Sequence, residues 1–500
     1  MSTSPVRVAR TLAAEFLAVP RHPAFQFLAA AAAATLILCA RAPVAYVAPL
    51  LFAEDRAWSS KLVTDGFWQT AFHAREDYCI LGNTLLVWAG MQACTWLCDG
   101  DVFALPRCLS VTAYACVGAA MSLPILLLRR QLPPILLATA WLLACFLPLG
   151  IHSDSWSGFE VLGRVANVGY VFLFAAFVLV WHRNANVRTG REAVPVDAGL
   201  YLCAATNPFC LAMLPATGWP YARRFLRERT PLTAIVREPS FVSLCVLAVA
   251  CLLAMGMPKP RSPHFEEPSP PVAFDGAVEM SLARGLLYPV VWPVYGQLTT
   301  PRTLAAAATL AVALVCLGQR RHRPLYAGAL AVIALVSAVL VACRGELAFF
   351  LHDYDSTFPD RYFYGHNLVA MLVLVVFAAD VTERLGRIRF VRCLPTVGLL
   401  GLAYLAAVRE PVWPLSASQF RLLGDDRFMI NARRALRDGR FIDAAGNPDP
   451  EGPFVRMVVQ RGCPKSLALP REAVERSLAR RGHEGRDPVR TAALPAATVR

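Results

Sequence analysis

Long apolar runs, separated by clusters of arginine, constrain this chain more than any other feature. About 20 apolar residues are needed to carry a helix across roughly 30 Å of hydrocarbon. Apolar runs of 12 to 27 residues recur at 25–51, 109–128, 132–149, 166–181, 240–257, 304–317, 325–343, 368–379 and 394–408. Further apolar stretches lie at 81–97 and 198–214, and a short aromatic one at 286–294 reads as interfacial. The pattern predicts an all-α integral membrane protein of roughly 10–12 membrane segments. Composition agrees: 17% of the 500 residues are charged, against about 25% in a soluble chain.

The formal net charge is +14, and arginine far outnumbers lysine. Such an excess suits loops facing anionic lipid on the cytoplasmic side. No basic patch interleaves with exposed aromatics on a polar domain, so nucleic acid is not an expected partner. Most of the fifteen cysteines sit inside apolar runs, where they act as small hydrophobes. Arg7, Arg10 and Arg21 precede the first run, which reads as an uncleaved span and not a removable signal peptide.

The arginine clusters set the orientation. Arg129-Arg130, Arg183 to Arg191, Arg223 to Arg237, Arg320 to Arg323 and Arg384 to Arg392 all fall on one side if two segments do not cross. One is Leu81 to Leu97, which would dip in and return. The other is a broken hairpin over 198–220 that turns near Asn207-Pro208, where proline interrupts the helix. The expected organisation is a short cytoplasmic N-terminus (1–24), a polytopic domain (25–408) and a soluble tail (409–500). The tail holds a small fold over 420–459 and a disordered arginine- and alanine-rich end. Outer loops fall at about 53–80, 151–165, 258–285 and 344–366. Parity puts the tail outside as well.

Three of those loops hold nearly all the notable polar residues. Glu54 and Asp55 follow the first run at once, with Trp58, Lys61, Asp65, Trp68 and His73 behind them. Asp154 and Glu160 lie in the second loop, with Asn167 just after it. The last contains Asp353, Asp355, Asp360, Arg361, Tyr362 and Tyr364. Carboxylates at a membrane edge suit general-base work on an attacking hydroxyl. A guanidinium suits a phosphate leaving group, which makes Arg361 the first choice and Lys61 the second. Tyr362 and Tyr364 also fit an interfacial aromatic belt. His73, His352 and His366 do not have the spacing of a known metal site.

These motifs resemble those of bacterial polytopic proteins with the GT-C glycosyltransferase architecture. Arg41-Ala-Pro43, Pro49 and Phe52-Ala53-Glu54-Asp55 are similar to that group's closing of its first span. Glu160-Val-Leu-Gly163 with Asn167 and Tyr170 resembles its second loop, although the tryptophan expected near Tyr170 is absent. Asp360-Arg361-Tyr362-Phe363-Tyr364 is similar to its late arginine-tyrosine motif. Arg56 stands where the group has glycine.

The resemblance implies transfer of a sugar from a polyprenyl-phosphate carrier to a glycan, lipid or protein acceptor at the outer face of the bacterial inner membrane. It gives the base or metal-binding role to Asp55 or Glu54. Arg361, with Lys61 and Tyr362, would hold the donor phosphate, and Glu160, Asn167 and Asp154 would shape the acceptor side. A divalent cation is an open requirement. The competing readings are a flippase or transporter of lipid-linked sugars and an O-antigen polymerase or ligase. The first needs charges at mid-membrane depth, which the apolar runs hardly supply; the second needs a larger late loop.

Overall fold

The computed structural model describes residues 22–47, 51, 53–75, 78–148, 161–186, 190–256, 278–279, 281–343, 360–384, 398, 401, 425–457 and 467–483. It is mostly helical. Six helices among the described residues are long and apolar enough to cross a membrane: Pro23–Arg41, Leu105–Leu127, Val165–Asn186, Thr300–Leu317, Arg323–Leu340 and Arg361–Arg384. Two shorter apolar helices, Pro134–Cys145 and Pro239–Ala250, accompany them. Of the expected 10–12 segments, six are of full length among the described residues, and the run at 394–408 falls almost wholly outside them. The chain forms two compact units. One comprises 1–43, 75–83 and 113–413, and the other 44–74, 84–112 and 414–500.

The larger unit is built around the helix Asp360–Arg384. Its 25 residues extend about 37 Å at 1.5 Å per residue, and 89% of its apolar window is buried. The expected span at 368–379 thus starts eight residues early, taking Arg361 and Tyr362 out of a loop and into a first turn. At its far end Asp380 is buried and accepts three bonds. They come from the Gln319 amide at 2.8 Å, the Tyr326 hydroxyl at 2.6 Å and the His322 ring at 2.8 Å. Arg384 donates to the Cys316 and Gly318 carbonyls. A cation there complements the C-terminal end of the helix Thr300–Leu317.

A second buried charge organises the middle of the chain. Arg183 and Asp197 pair at 2.7 Å with both side chains 4% exposed. Arg183 also donates to the Tyr221 hydroxyl and the Ser240 carbonyl, joining the helices Val171–Asn186, Gly190–Ala204, Leu214–Arg227 and Pro239–Gly256. The same pairing traces the broken hairpin. Asp197 and Tyr221 both meet Arg183, and Asn184 donates to Ala216. The chain therefore leaves this end of the bundle and returns to it. The helix stops at Ala204, and a 3-10 turn begins at Pro208, as the missing proline donor requires.

Three expectations need correction in this unit. The first span ends at Arg41, not near 51, because Pro43 disfavours helix at the residue before it. Arg41 donates there to the Cys145 and Leu147 carbonyls. The segment 286–294, expected at an interface, has Leu286, Leu287 and Tyr288 buried behind a π-helix over Ser281–Leu287. Residues 278–285, expected in an exposed loop, carry buried Glu279, Ser281 and Arg284. Residues 258–271 lie outside the described set.

The smaller unit brings together stretches far apart in sequence. An antiparallel sheet runs β1 (Phe441–Ile442), β2 (Phe454–Met457), β3 (Leu467–Pro470), with Val455 opposite Phe441 and Leu469. The helices Asp425–Arg437 and Arg471–His483 flank it. The Ala468 amide donates to Ser60 on the helix Ala53–Thr64 at 2.7 Å. Arg481 pairs with Asp101 at 2.6 Å, Arg480 donates to the Asp99 carbonyl and Ser477 accepts from Val102. Phe103 meets Phe428 edge to face at 5.1 Å. The tail fold therefore extends to His483, beyond its expected limit near 459. Arginines that read as solvated are partners of the 99–103 loop. The arginine- and alanine-rich end expected to be disordered thus includes the helix Arg471–His483, and its last residues, 484–500, are not among the described ones.

The Arg183–Asp197 pair gives a test. Breaking one side strands a buried charge at a cost of about 3–5 kcal/mol, whereas an apolar pair of similar volume is often neutral. Thermal unfolding of the detergent-solubilised protein should show large losses for Arg183→Met and for Asp197→Leu alone, and substantial recovery in the double variant. A double-variant loss equal to the sum of the two single losses would show that the charges do not depend on each other.

Candidate functional site

Glu54 and Asp55 are not in a loop. They occupy the first turn of the helix Ala53–Thr64, where the backbone N–H groups and the helix dipole favour negative charge. Two acidic residues in a first turn need no further reason, but burial does. Asp55 is 3% exposed and Glu54 half-buried. Asp55, Ser59 and Leu62 follow one another at helical spacing along a buried face. Ser59 donates to the Asp55 carbonyl, and Ser60 to that of Arg56. Lys61, six residues on and half-buried, lies off the Asp55–Ser59 face.

Within the larger unit the other two motifs meet. Arg361 donates to the Tyr362 hydroxyl at 2.9 Å, its guanidinium 4.8 Å from the centre of that ring. Tyr362 packs edge to face against Tyr170 at 5.1 Å. Tyr170 follows the short helix Val165–Val168 that carries Asn167, and its amide donates to the Asn167 carbonyl. Residues almost 200 apart in sequence thus share one contact. Gly365, one turn beyond Arg361, makes the approach possible: a Cβ there would collide with the Tyr170 carbonyl.

A knot of buried amides holds the Asn167 segment from behind. Asn83 donates to the Val165 carbonyl at 2.5 Å and Asn207 to that of Gly169 at 2.9 Å. The Gly82 amide donates to Thr206, and the Leu81 amide to the Ala205 carbonyl. Each bond satisfies a backbone group that would otherwise cost about 1–3 kcal/mol to bury. Asn167 itself is half-buried.

Asp154 and Glu160 lie outside the described residues, as does His352. The described residues therefore place Asn167, Arg361 and Tyr362 in one unit, and Glu54, Asp55 and Lys61 in the other. Sequence reasoning missed several buried polar groups. Arg56 and Arg164 are almost wholly buried. Each directly follows a singled-out motif, and that adjacency was the available signal. Asn83, Asn207, His366 and Asn367 are buried too, but a lone amide or imidazole in an apolar run has no pattern to announce it. Among the described residues no group of three or more His, Cys, Asp or Glu gathers to hold a metal ion, so no ligand set for a divalent cation can be named.

Comparison of the chain with protein-family models, with curated proteins and with solved structures finds no match in any of the three.

The Gly365 contact gives a prediction of clear sign. In an unobstructed helix interior, Gly→Ala stabilises by about 1 kcal/mol. Here overpacking against a backbone carbonyl should reverse that and cost about 1–3 kcal/mol. Thermal unfolding of Gly365→Ala should show a lower midpoint than wild type. A raised midpoint would mean that Tyr170 and the Asp360–Arg384 helix do not approach this closely.

Proposed function

We propose that this chain is a membrane-embedded glycosyltransferase of the GT-C kind. It would move a sugar from a polyprenyl-phosphate donor to a cell-envelope glycan, lipid or protein at the outer face of the bacterial inner membrane. The observation that carries this reading is the contact between Tyr170 and Tyr362. It brings the Asn167 segment and the Arg361 turn together, two motifs that the resemblance singled out separately. The burial of Asp55 at a helix N-terminus is the second support.

The roles follow from the chemistry. Asp55, or Glu54 beside it, accepts the proton of the acceptor hydroxyl as its oxygen attacks the anomeric carbon. The bond from that carbon to the carrier phosphate breaks, and the phosphate leaves with its negative charge. In the larger unit the Arg361 guanidinium, held in place by Tyr362, has the planar pair of donors that suits a phosphate. Lys61 contributes charge only, because its helix position turns it from the Asp55 face. Asn167, with Asp154 and Glu160, would serve the acceptor side. Exposed Trp68, stacked on Phe72 at 6.1 Å, suits a helix lying at the headgroup level.

A deletion strain complemented with wild type, Asp55→Asn or Arg361→Ala tests this directly. Envelope glycan and lipid-linked sugars should show one missing sugar and an accumulated donor, restored by wild type alone. In membranes, the transfer rate of Asp55→Asn should fall by about 10²–10⁴-fold with normal expression. Donor trapped on the cytoplasmic face would point to a flippase, and full-length units left unpolymerised or unattached to a polymerase or ligase. Unchanged glycan and donor pools would remove the transferase reading.

A further inference from the structure

Three cysteines meet in the smaller unit. Cys98 ends one helix region and Cys108 lies in the first turns of the helix Leu105–Leu127, their sulfurs 4.0 Å apart. The Cys94 thiol also reaches Cys108 and donates to the Asp101 carbonyl at 3.1 Å. Cys94 is buried, whereas Cys98 and Cys108 are half-buried and reachable from solvent. A disulfide needs its sulfurs at about 2.05 Å, so the Cys98 and Cys108 sulfurs, 4.0 Å apart, have about 2 Å still to close.

The surroundings give such a bond a purpose. Between the two cysteines the chain makes a tight turn, with Asp99 and Gly100 both at positive φ. The Gly100 amide donates to the Cys94 carbonyl, and the Asp101 amide to that of Cys98. This turn receives the C-terminal helix Arg471–His483: Arg480 on the Asp99 carbonyl, Arg481 on the Asp101 carboxylate and Ser477 on the Val102 amide. A left-handed aspartate is an uncommon backbone state that persists only when its surroundings hold it.

Compartment completes the case. The helix Leu105–Leu127 is long enough to span, and Arg129-Arg130 follow its far end. Arginine pairs belong to the cytoplasmic side, which leaves Cys98 and Cys108 at the opposite, oxidising side, where disulfides form and persist. The trio is not gathered as a metal site.

We propose that Cys98 and Cys108 form a disulfide that locks the 99–107 turn in the shape onto which the C-terminal helix docks. The oxidant is a disulfide-bearing protein acting by thiol exchange. The two cysteine thiols lose two protons and two electrons as their S–S bond forms, and the oxidant's disulfide takes them up to become two thiols.

The experiment starts from the full chain in bacterial membranes, acid-quenched and alkylated before non-reducing digestion. Mass spectrometry should find the Cys98 and Cys108 peptides joined, two hydrogens lighter than their sum, and separated by reductant. Cys98→Ser should free Cys108 for alkylation. Alkylated Cys98 and Cys108 in most wild-type molecules, or Cys94 joined to Cys108, would overturn the pairing. Limited proteolysis reads the lock. Cleavage within 471–483 should quicken severalfold in reduced wild type and in Cys98→Ser. Equal rates in oxidised and reduced protein would overturn the docking role even if the bond is found.

Discussion

The larger unit depends on burying one helix along its length. Asp360–Arg384 is too long to be surrounded by protein without meeting polar groups at both ends, and each end has been given partners. At one end Tyr362 meets Tyr170, and Gly365 admits the Tyr170 carbonyl. At the other Asp380 accepts from Gln319, His322 and Tyr326. An ionised carboxylate buried without donors would cost several kcal/mol. Three donors at 2.6 to 2.8 Å replace its water. The arginine-rich turn after Leu317 is thus more than a cluster of charge, because its Gln319 backbone amide closes the carboxylate's shell.

Helix identity was legible in the sequence because apolar length is a direct physical requirement. Helix ends were less so. The first span reads as continuing to Leu51 on hydropathy alone, yet it stops at Arg41 where Pro43 forbids the next turn. The late span reads as starting after the motif at 360–364, yet that motif is its first turn. Tyrosine, histidine and asparagine lower a hydropathy window without breaking a helix, so a polar first turn buried by neighbours is invisible to it.

Burial explains the remaining differences. Arg183 reads as part of an arginine cluster that sets orientation, the apolar runs read as almost free of charge, and nothing local marks Asp197 or Asp380. All three are buried and paired. Which charge meets which partner is a long-range fact: Asp197 is 14 residues from Arg183, and Asp380 is 54 from Tyr326. No local pattern encodes it. The tail illustrates the same limit. Its arginines are disorder-like in composition, but Arg481 has a carboxylate 380 positions away.

These buried pairs also bear on the choice between chemistry and transport. A carboxylate that couples ion movement must exchange its partners as the protein cycles, with a helix broken beside it. Asp380 is held by an amide, a ring nitrogen and a hydroxyl from a single turn and the helix that follows it. Asp197 is held by a guanidinium that the Tyr221 hydroxyl and the Ser240 carbonyl also fix in place. Neither arrangement has a second set of partners within the described residues. Both act as rivets between helices. On the proposed reading, the chemistry would fall to the Arg361 turn, which meets the Asn167 segment through Tyr170 and Tyr362, and to the carboxylate pair at the start of the Ala53–Thr64 helix.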